Sequence, residues 1–413
     1  MEGFLLEQLF FIAITFLLLI IPGWFFLCAL FDRSQFTLIE KFVLSVPVSF
    51  SLITLSIIGI NALGITLSKQ NILLTLSVLI SLFLIFTFFK KHKTSHSDSA
   101  IFIFSKKQTV LITLLIVFTI VIKTIFLINT VFPTATDLGH HMFWVEKITQ
   151  EQTLPTYQKI EIDPQTNTFT EPEHIADFIV GEHIIFAVIK TFTNQSVIST
   201  FPSLVLFVVN IFTVLMIFIL TRRLFARYRY GAHITILTLL FIGPLWAISG
   251  AQAKFVSGGV IGNLLGNLLI PAILYFFYRA FVSKKATLLI PAILLFTALA
   301  YTHHLSAFIF GYIFIFSLIS FVILNRNGLT EYKKLFSLLK NPYIIPLLLI
   351  VFASLFILAP PSYLNKEAIS TSVGAPSKST RTGVPLTQLM YMLGEARFVL
   401  GFIGLFIITI FYT

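Results

Sequence analysis

Cysteine and charge are both scarce in this sequence. Of its 413 residues only one is a cysteine, Cys28, and 11% are charged. A single cysteine cannot form an intramolecular disulfide, and it excludes a metal site built from several thiolates. The Gly-x-x-x-x-Gly-Lys phosphate-binding loop is also absent, which argues against ATP-driven transport by this chain alone. No repeat period or heptad pattern is visible.

Apolar residues, in contrast, dominate the chain. They make up 57% of the sequence, and the mean hydropathy is +0.96, which is too apolar for a soluble globular protein. A membrane-spanning helix needs about 20 mostly apolar residues. Eleven apolar runs of this general kind follow one another, at about 4–31, 42–63, 72–89, 109–129, 202–220, 234–248, 268–281, 288–301, 307–324, 343–358 and from 392. The sequence therefore predicts an all-α polytopic membrane protein.

The net charge of +11 does not indicate nucleic-acid binding, because the basic residues form short clusters between the apolar runs. Cytoplasmic loops of membrane proteins are rich in Lys and Arg. Placing the clusters at 90–93, 106–107 and 222–229 in the cytoplasm gives a multi-pass protein of the cell membrane with an external N-terminus. The N-terminus lacks the basic region of a secretory signal, so we expect the first run to be a retained span.

This orientation divides the chain into two parts. Residues 1–105 are predicted to form a three-span extension with a cytoplasmic linker, and residues 106–413 a membrane core with external loops at 130–201 and 359–390. The first loop holds nine of the 17 acidic residues. Within it, 175–192 is predicted to be a helix at the interface or in a cavity. The glycine-rich stretch 250–266 is predicted to be a re-entrant loop. Because the sequence stops inside an apolar run, we expect it to be incomplete at the C-terminus.

A cluster of functional residue types follows the fourth apolar run. Asp137, His140, His141 and Trp144 occur in the stretch from 134 to 155. If Asp137 caps a helix there, the helical period places Asp137, one of the two histidines and Trp144 on one face. A single acid at the mouth of a span, followed by a polar and aromatic helix, resembles the first external loop of the GT-C glycosyltransferases. The likeness covers roughly the last three quarters of the chain.

The resemblance implies a GT-C-like helical bundle that transfers a hexosyl or pentosyl group at the outer face of the membrane. Its relatives would be of the oligosaccharyltransferase and protein-mannosyltransferase type. The implied partners are a polyprenyl-phosphate sugar donor, a hydroxyl acceptor on a glycan, lipid or protein of the cell envelope, and membrane lipids. In this family the base lies at the start of the first external loop, which assigns that role to Asp137. The alternative to this catalytic role is a structural one, in which Asp137 is a helix N-cap.

Further residues are candidates for the same site. We expect Glu182 to be a second carboxylate, because Gly181 and the apolar flanks would hold it near the membrane surface. The Glu173-His174 pair is a further acid and histidine pairing in the loop. Candidate substrate-binding residues are His140, His141, Trp144, His183, Lys254, His303, His304, Arg381 and Arg397. The alternatives are interface histidines, a polar interhelical turn at His303, and cations that reach lipid headgroups.

No metal ligand set is assigned from the sequence. Neither His-Glu-x-x-His nor Asp-x-Asp occurs in the first loop, where the sequence reads Asp-Leu-Gly from Asp137. A divalent cation is left as an open alternative without a supporting motif. The Trp-Trp-Asp motif of oligosaccharyltransferases is absent, so asparagine-linked transfer is not expected. Two other functions remain as alternatives: a transporter or flippase, and a polymerase or ligase, of lipid-linked glycans. A transporter would need charged residues inside the spans.

Overall fold

The protein, described here from a computed structural model, is a helical membrane protein. The structure describes residues 2–32, 34–90, 102–128, 136–156, 180–248, 261–324 and 328–361, and the isolated positions 158, 159, 165, 167–169, 171, 173, 174, 399 and 403. Most of the predicted C-terminal run from 392, most of the second external loop, and the linker at 91–101 therefore lie outside the described residues.

Fourteen α-helices account for almost all of the described chain. They are α1 (Glu2–Leu30), α2 (Leu38–Ala62), α3 (Lys69–Phe89), α4 (Lys106–Ile128), α5 (Thr136–Glu151), α6 (Val180–Thr193), α7 (Phe201–Leu224), α8 (Gly231–Leu240), α9 (Trp246–Ile248), α10 (Ile261–Ser283), α11 (Leu289–Thr302), α12 (His304–Leu324), α13 (Gly328–Leu339) and α14 (Ile344–Ala353). Turns of π-helix follow α8 and α14, at Phe241–Leu245 and Ser354–Leu358, and a 3-10 turn, Ala286–Leu288, precedes α11. The described residues also contain one antiparallel pair of two-residue strands, β1 (Gln158–Lys159) and β2 (Glu173–His174).

The predicted fold class is confirmed. Among the described residues, eight helical stretches are long and apolar enough to cross a membrane, namely Glu7–Leu30, Leu38–Ala62, Lys69–Phe89, Lys106–Ile125, Phe201–Leu224, Gly231–Ile248, Ile261–Ser283 and His304–Ile323. Two shorter apolar stretches, Ala286–Thr302 and Ile344–Leu358, accompany them. The chain is thus a multi-pass membrane protein.

The centre of the bundle is formed by α2, α7, α10 and α11. Helix α10 packs on α7 and α11, α11 packs on α2, and α1 covers α2. Most residues of α2, α7 and α10 are buried, whereas α3, α4 and α12 expose most of their apolar side chains. Exposed apolar helices on the outside are stable only where lipid replaces water. The inner helices hold the core, and the outer ones present surface for the acyl chains.

Helices α1 and α2 approach each other closely at Gly23. A Cβ atom on Gly23 would lie only 2.1 Å from the carbonyl oxygen of Ser45, so no other residue fits there without a shift. Pro22 precedes it inside α1, and the Gly23 N–H donates to Ser49 Oγ at 2.7 Å. Ser49 of α2 thus accepts a hydrogen bond from a backbone N–H next to a proline of α1.

A buried ion pair holds one end of the bundle together. The Thr37 side chain and Glu40 form a capping box at the start of α2. The Glu40 carboxylate, fully buried, also accepts hydrogen bonds from Nε and Nη2 of Arg223 at the end of α7, and from the Tyr275 hydroxyl of α10 at 2.9 Å. Nearby, Arg279 donates to the carbonyl oxygen of Gln35 at 3.1 Å. We call this end, with Glu40, Arg223, Tyr275 and Arg279, the basic end.

The opposite ends of the same helices form a second polar region. Here Asn61 Oδ1 accepts from the Leu154 N–H at 2.9 Å and from the Thr153 hydroxyl at 3.1 Å, which ties the end of α5 to the end of α2. The Tyr301 hydroxyl bonds to the Ala359 carbonyl oxygen at 2.8 Å. Because this end carries His141, His183 and His303, we call it the histidine end.

Two predicted segments can be compared with the structure. The helix predicted at 175–192, at the interface or in a cavity, corresponds to α6, whose residues Gly181 to Ile189 are all buried. It packs inside the bundle against α1, α2 and α11, because its apolar residues surround the helix on all sides. The prediction of a re-entrant loop at 250–266 is wrong for its last six residues, which form the first turns of α10. Residues 249–260 lie outside the described residues.

The buried ion pair at the basic end gives a stability prediction. We expect Glu40→Ala and Arg223→Ala each to lower the free energy of unfolding by about 3–5 kcal/mol, because each leaves one buried charge without its partner. The loss of unfolding free energy in the double variant should be smaller than the sum of the losses in the two single variants. Thermal or denaturant unfolding of the purified protein measures the effect.

Glu151→Ala is the matched control, since Glu151 forms an exposed pair with Lys147 at 3.8 Å on α5. Its effect should stay below about 1 kcal/mol. Unfolding of Glu40→Ala that matches that of Glu151→Ala would contradict the importance of the buried pair.

Candidate functional site

Helix α5 directs one of the two adjacent histidines into the protein. Its buried residues Leu138, Met142, Val145 and Ile148 form one stripe, as expected of an amphipathic helix that packs on one side. His141 and Trp144 are buried with this stripe, whereas His140 is exposed. Asp137 belongs to α5 by its backbone, but its side chain lies outside the described residues. The sequence predicted one histidine on the inner face, and the structure selects His141.

Helix α6 brings an acid and a histidine to His141. Glu182 Oε1 lies 2.8 Å from His141 Nδ1, His183 Nε2 lies 2.8 Å from the same nitrogen, and His183 Nε2 lies 3.6 Å from Glu182 Oε1. The exposed fractions of His141, Glu182 and His183 are 9%, 3% and 0%. We call these residues the His141–Glu182–His183 cluster. Three of the sequence-predicted residues, separated by about 40 positions in the chain, thus form one buried group.

The position of α6 is fixed by a glycine. A Cβ atom on Gly181 would lie 2.4 Å from the carbonyl oxygen of Tyr301 at the end of α11. The absence of a side chain therefore lets the first turn of α6 touch the last turn of α11. Glu182 lies in that first turn, where the positive end of the helix dipole favours a carboxylate.

A second glycine places His303 beside the cluster. A Cβ atom on Gly262, in the first turn of α10, would lie 2.3 Å from His303 Cδ2 and 2.7 Å from Glu182 Oε2. His303 is a single extended residue between α11 and α12. Its Nδ1 accepts the Ser306 N–H at 3.2 Å and lies 2.8 Å from Ser306 Oγ. Nδ1 is therefore an acceptor, and in the neutral ring the proton is on Nε2.

Two histidines of this region, His183 and His303, are held in their neutral form. Burial, and next the proximity of His141, lower the pKa of His183 well below its usual value. Burial, with the neighbouring His304 and His141, lowers the pKa of His303 to about 4. Both rings therefore carry a nitrogen lone pair and one N–H at neutral pH. Neutral imidazoles of this kind can donate a hydrogen bond, accept a proton or bind a metal ion.

One carboxylate oxygen of the cluster has no hydrogen-bond partner. Glu182 Oε2 is buried and accepts no hydrogen bond from any described residue. Buried carboxylate oxygens are normally satisfied, and an exception needs an explanation. Oε2 lies beside Gly262 and His303, since a Cβ atom on Gly262 would be 2.7 Å from Oε2 and 2.3 Å from His303 Cδ2.

Other predicted site residues have neighbours outside the cluster or lie outside the described residues. His304 is half-buried, with its ring 5.5 Å from that of His303. Trp144 packs edge to face against Phe143, and the Lys147 ammonium lies 5.2 Å from its ring centre. Lys254, Arg381 and Arg397, the predicted cations, lie outside the described residues, and Glu173-His174 forms β2.

Three further residues were not predicted from the sequence to be functional: Gly262, Ser306 and Lys123. Lys123 lies within the span of α4 and is only 1% exposed. No described carboxylate pairs with it. One turn earlier, Thr119 Oγ1 lies 2.6 Å from the position of a Cβ atom on Gly243, so this face of α4 packs on the π-helical turn after α8. A lysine inside an apolar run is visible in the sequence and is the signal that could have identified it.

The fold and the cluster together define a class: a multi-pass helical membrane protein with a buried acid and histidine site at one end of its bundle. The chain belongs to the family DUF6541, a family of unknown function, which matches residues 16–371. Neither a comparison with curated proteins nor one with solved structures finds a match. The matched range contains every residue of the His141–Glu182–His183 cluster as well as Gly262 and His303.

The glycine contact at the site gives a specific prediction. We expect Gly262→Ala to destabilise the protein by about 1–3 kcal/mol, because the new methyl group would collide with His303 and Glu182. Gly311→Ala in α12 is the matched control, since a Cβ atom there meets nothing within 4 Å. That control should be neutral or slightly stabilising. Unfolding midpoints of the two variants measure the difference, and equal midpoints would contradict the close approach of α10.

Proposed function

We propose that this chain is a membrane glycosyltransferase that moves a sugar from a polyprenyl-phosphate carrier to a hydroxyl group. The supporting observation is the buried Glu182 carboxylate, which has an unbonded oxygen beside neutral histidines where apolar helices end. A lipid-linked sugar would place its polyprenyl chain along such helices and its phosphate and sugar at their ends. The GT-C resemblance of the first loop supports the same reaction.

The proposed transfer is a substitution at the anomeric carbon of the donor sugar. A carboxylate base, assigned by the resemblance to Asp137, accepts the proton of the acceptor hydroxyl. The acceptor oxygen bonds to the anomeric carbon, and the bond between that carbon and the carrier phosphate breaks. The phosphate leaves with the bonding electron pair. Glu182 is the second carboxylate, and the His303 N–H is a donor that can stabilise charge as it develops.

The proposal places the histidine end on the external side of the membrane. The segment 130–201 carries nine acidic residues and three lysines, while Lys90, Arg222 and Arg223 lie near the basic end. Cytoplasmic ends of spans are enriched in Lys and Arg. The acceptor is a glycan, a lipid or a protein outside the cytoplasm, and the reaction belongs to glycosylation of the cell envelope.

A flippase for a lipid-linked sugar is the second candidate, and Lys123 is the observation that favours it. A transporter needs charged groups inside its spans, and Lys123 is buried in α4. In reconstituted vesicles a flippase would move labelled polyprenyl-phosphate sugar between leaflets while the sugar remains on its carrier. A transferase would discharge the carrier.

The transferase proposal predicts the effect of removing the carboxylates. Purified protein in lipid vesicles is incubated with a labelled polyprenyl-phosphate hexose or pentose and an acceptor mixture, and release of the sugar from its carrier is measured. We expect Asp137→Asn and Glu182→Gln each to lower the rate by about 100-fold or more, because a positioned acid or base contributes about that much.

Glu151→Gln is the control, because Glu151 is an exposed acid on the same helix as Asp137. It should retain the full rate. The proposal is rejected if the wild-type protein discharges none of the tested carriers, or if both carboxylate variants discharge them at the rate of the control.

A further inference from the structure

We propose that His141, Glu182 and His183 bind one divalent transition-metal ion of the zinc type. The ligand atoms are His141 Nδ1, Glu182 Oε1 and His183 Nε2, which lie 2.8, 2.8 and 3.6 Å from one another. This site does not depend on the proposed reaction, because an ion can bind there whatever the chain transfers. Its test is independent of any sugar.

The three separations fit an ion at ordinary bond lengths. A triangle with these sides has a point about 2 Å from all three corners, slightly out of its plane, and about 2.0–2.2 Å is the length of zinc bonds to imidazole nitrogen and carboxylate oxygen. Two histidines and one glutamate are a known ligand set for zinc with one position open. Mg²⁺ and Ca²⁺ prefer oxygen ligands, so two nitrogens favour a transition metal.

A single proton on His141 Nδ1 cannot form good hydrogen bonds to both of its close neighbours in the cluster. His141 Nδ1 carries at most one proton, yet it lies 2.8 Å from both Glu182 Oε1 and His183 Nε2. If it donates to Glu182, the lone pair of His183 must share the same proton. If it accepts from His183, its lone pair faces Glu182 Oε1, and only a protonated carboxyl group makes that contact favourable. A metal ion accepts all three lone pairs at once.

The charge of the cluster also favours a cation. Glu182 is 3% exposed, and no described Lys or Arg forms an ion pair with it. A buried carboxylate without a cation to pair with is strongly destabilised, as is any buried ion. A divalent ion supplies the missing positive charge.

The surrounding structure holds the ligands in place before any ion binds. Glu182 and His183 are neighbours in the first turn of α6, which Gly181 brings against Tyr301. Lys190 of α6 pairs with Glu146 of α5 at 3.4 Å, and this contact fixes the helix that carries His141. If the proposed function also holds, the ion would convert a negatively charged place into one that attracts the departing phosphate.

The test measures bound metal in the full-length chain, purified in detergent with an affinity tag that contains no histidines. After exposure to Zn²⁺ and removal of the excess, elemental analysis should find about one zinc per chain, because three protein ligands support tight binding. In His141→Ala and His183→Ala the affinity for Zn²⁺ should fall by at least about 100-fold. Even residues outside the ligand shell alter metal affinity by about 10–100-fold, and these variants remove a ligand itself. Co²⁺ in place of Zn²⁺ should give visible absorption in the wild-type protein and none in these variants.

His140→Ala is the matched control, because His140 is the adjacent histidine on α5 and is exposed. It should bind zinc as the wild-type protein does. To separate loss of ligand from loss of fold, unfolding of each variant is measured with and without Zn²⁺. The midpoint should rise with Zn²⁺ for the wild-type protein and for His140→Ala, and stay constant for Glu182→Gln.

Wild-type protein without bound zinc after this treatment would overturn the proposal. Equal zinc content in His141→Ala and His140→Ala would overturn it as well. Because no sugar enters this experiment, a failure here is distinct from a failure of the carrier discharge assay.

Discussion

The histidine end depends on the close approach of helix backbones at glycines. Gly181 allows α6 to touch the end of α11, and Gly262 allows α10 to lie against His303 and Glu182. A little further along α10, a Cβ atom on Gly266 would lie 2.0 Å from Ser306 Oγ. In an apolar environment, helices that approach this closely gain dispersion contacts and shorten the reach between polar side chains. These contacts bring Glu182 of α6 beside His303, the residue between α11 and α12.

At the basic end, a buried ion pair joins the helices where glycine contacts do so at the histidine end. Glu40 receives hydrogen bonds from Arg223 and Tyr275 while it also caps its own helix. One carboxylate therefore joins α2, α7 and α10. Removal of one partner from a buried ion pair of this kind is strongly destabilising, because it leaves the other charge buried and uncompensated.

Much of the fold was predictable because its signal is local. Long apolar runs identify spans without any knowledge of their neighbours, and the runs at 4–31, 42–63, 72–89 and 202–220 correspond to α1, α2, α3 and α7. The glycines of α10 were misinterpreted because glycine favours loops in isolation. Their actual role, contact with another helix, depends on residues that are distant in the sequence.

The candidate site was predictable as a set of residues but not as an arrangement. Glu182, His183, His303 and a histidine of α5 stood out because polar side chains are rare in so apolar a chain. The choice between His140 and His141 required the orientation of α5. The contact between α5 and α6 required tertiary packing. Lys123 is difficult to identify from the sequence, because one lysine has little weight in the average hydropathy of the apolar run at 109–129.

The central claim is that His141, Glu182 and His183 converge at one buried point. A cryo-electron microscopy map of the full-length chain in a lipid nanodisc, at a resolution that shows imidazole rings, tests it most directly. The account predicts that both rings and the carboxylate converge within hydrogen-bonding or metal-ligating distance, with His303 beside Gly262. A map in which the side chain of His141 points to lipid or solvent, away from α6, would contradict it.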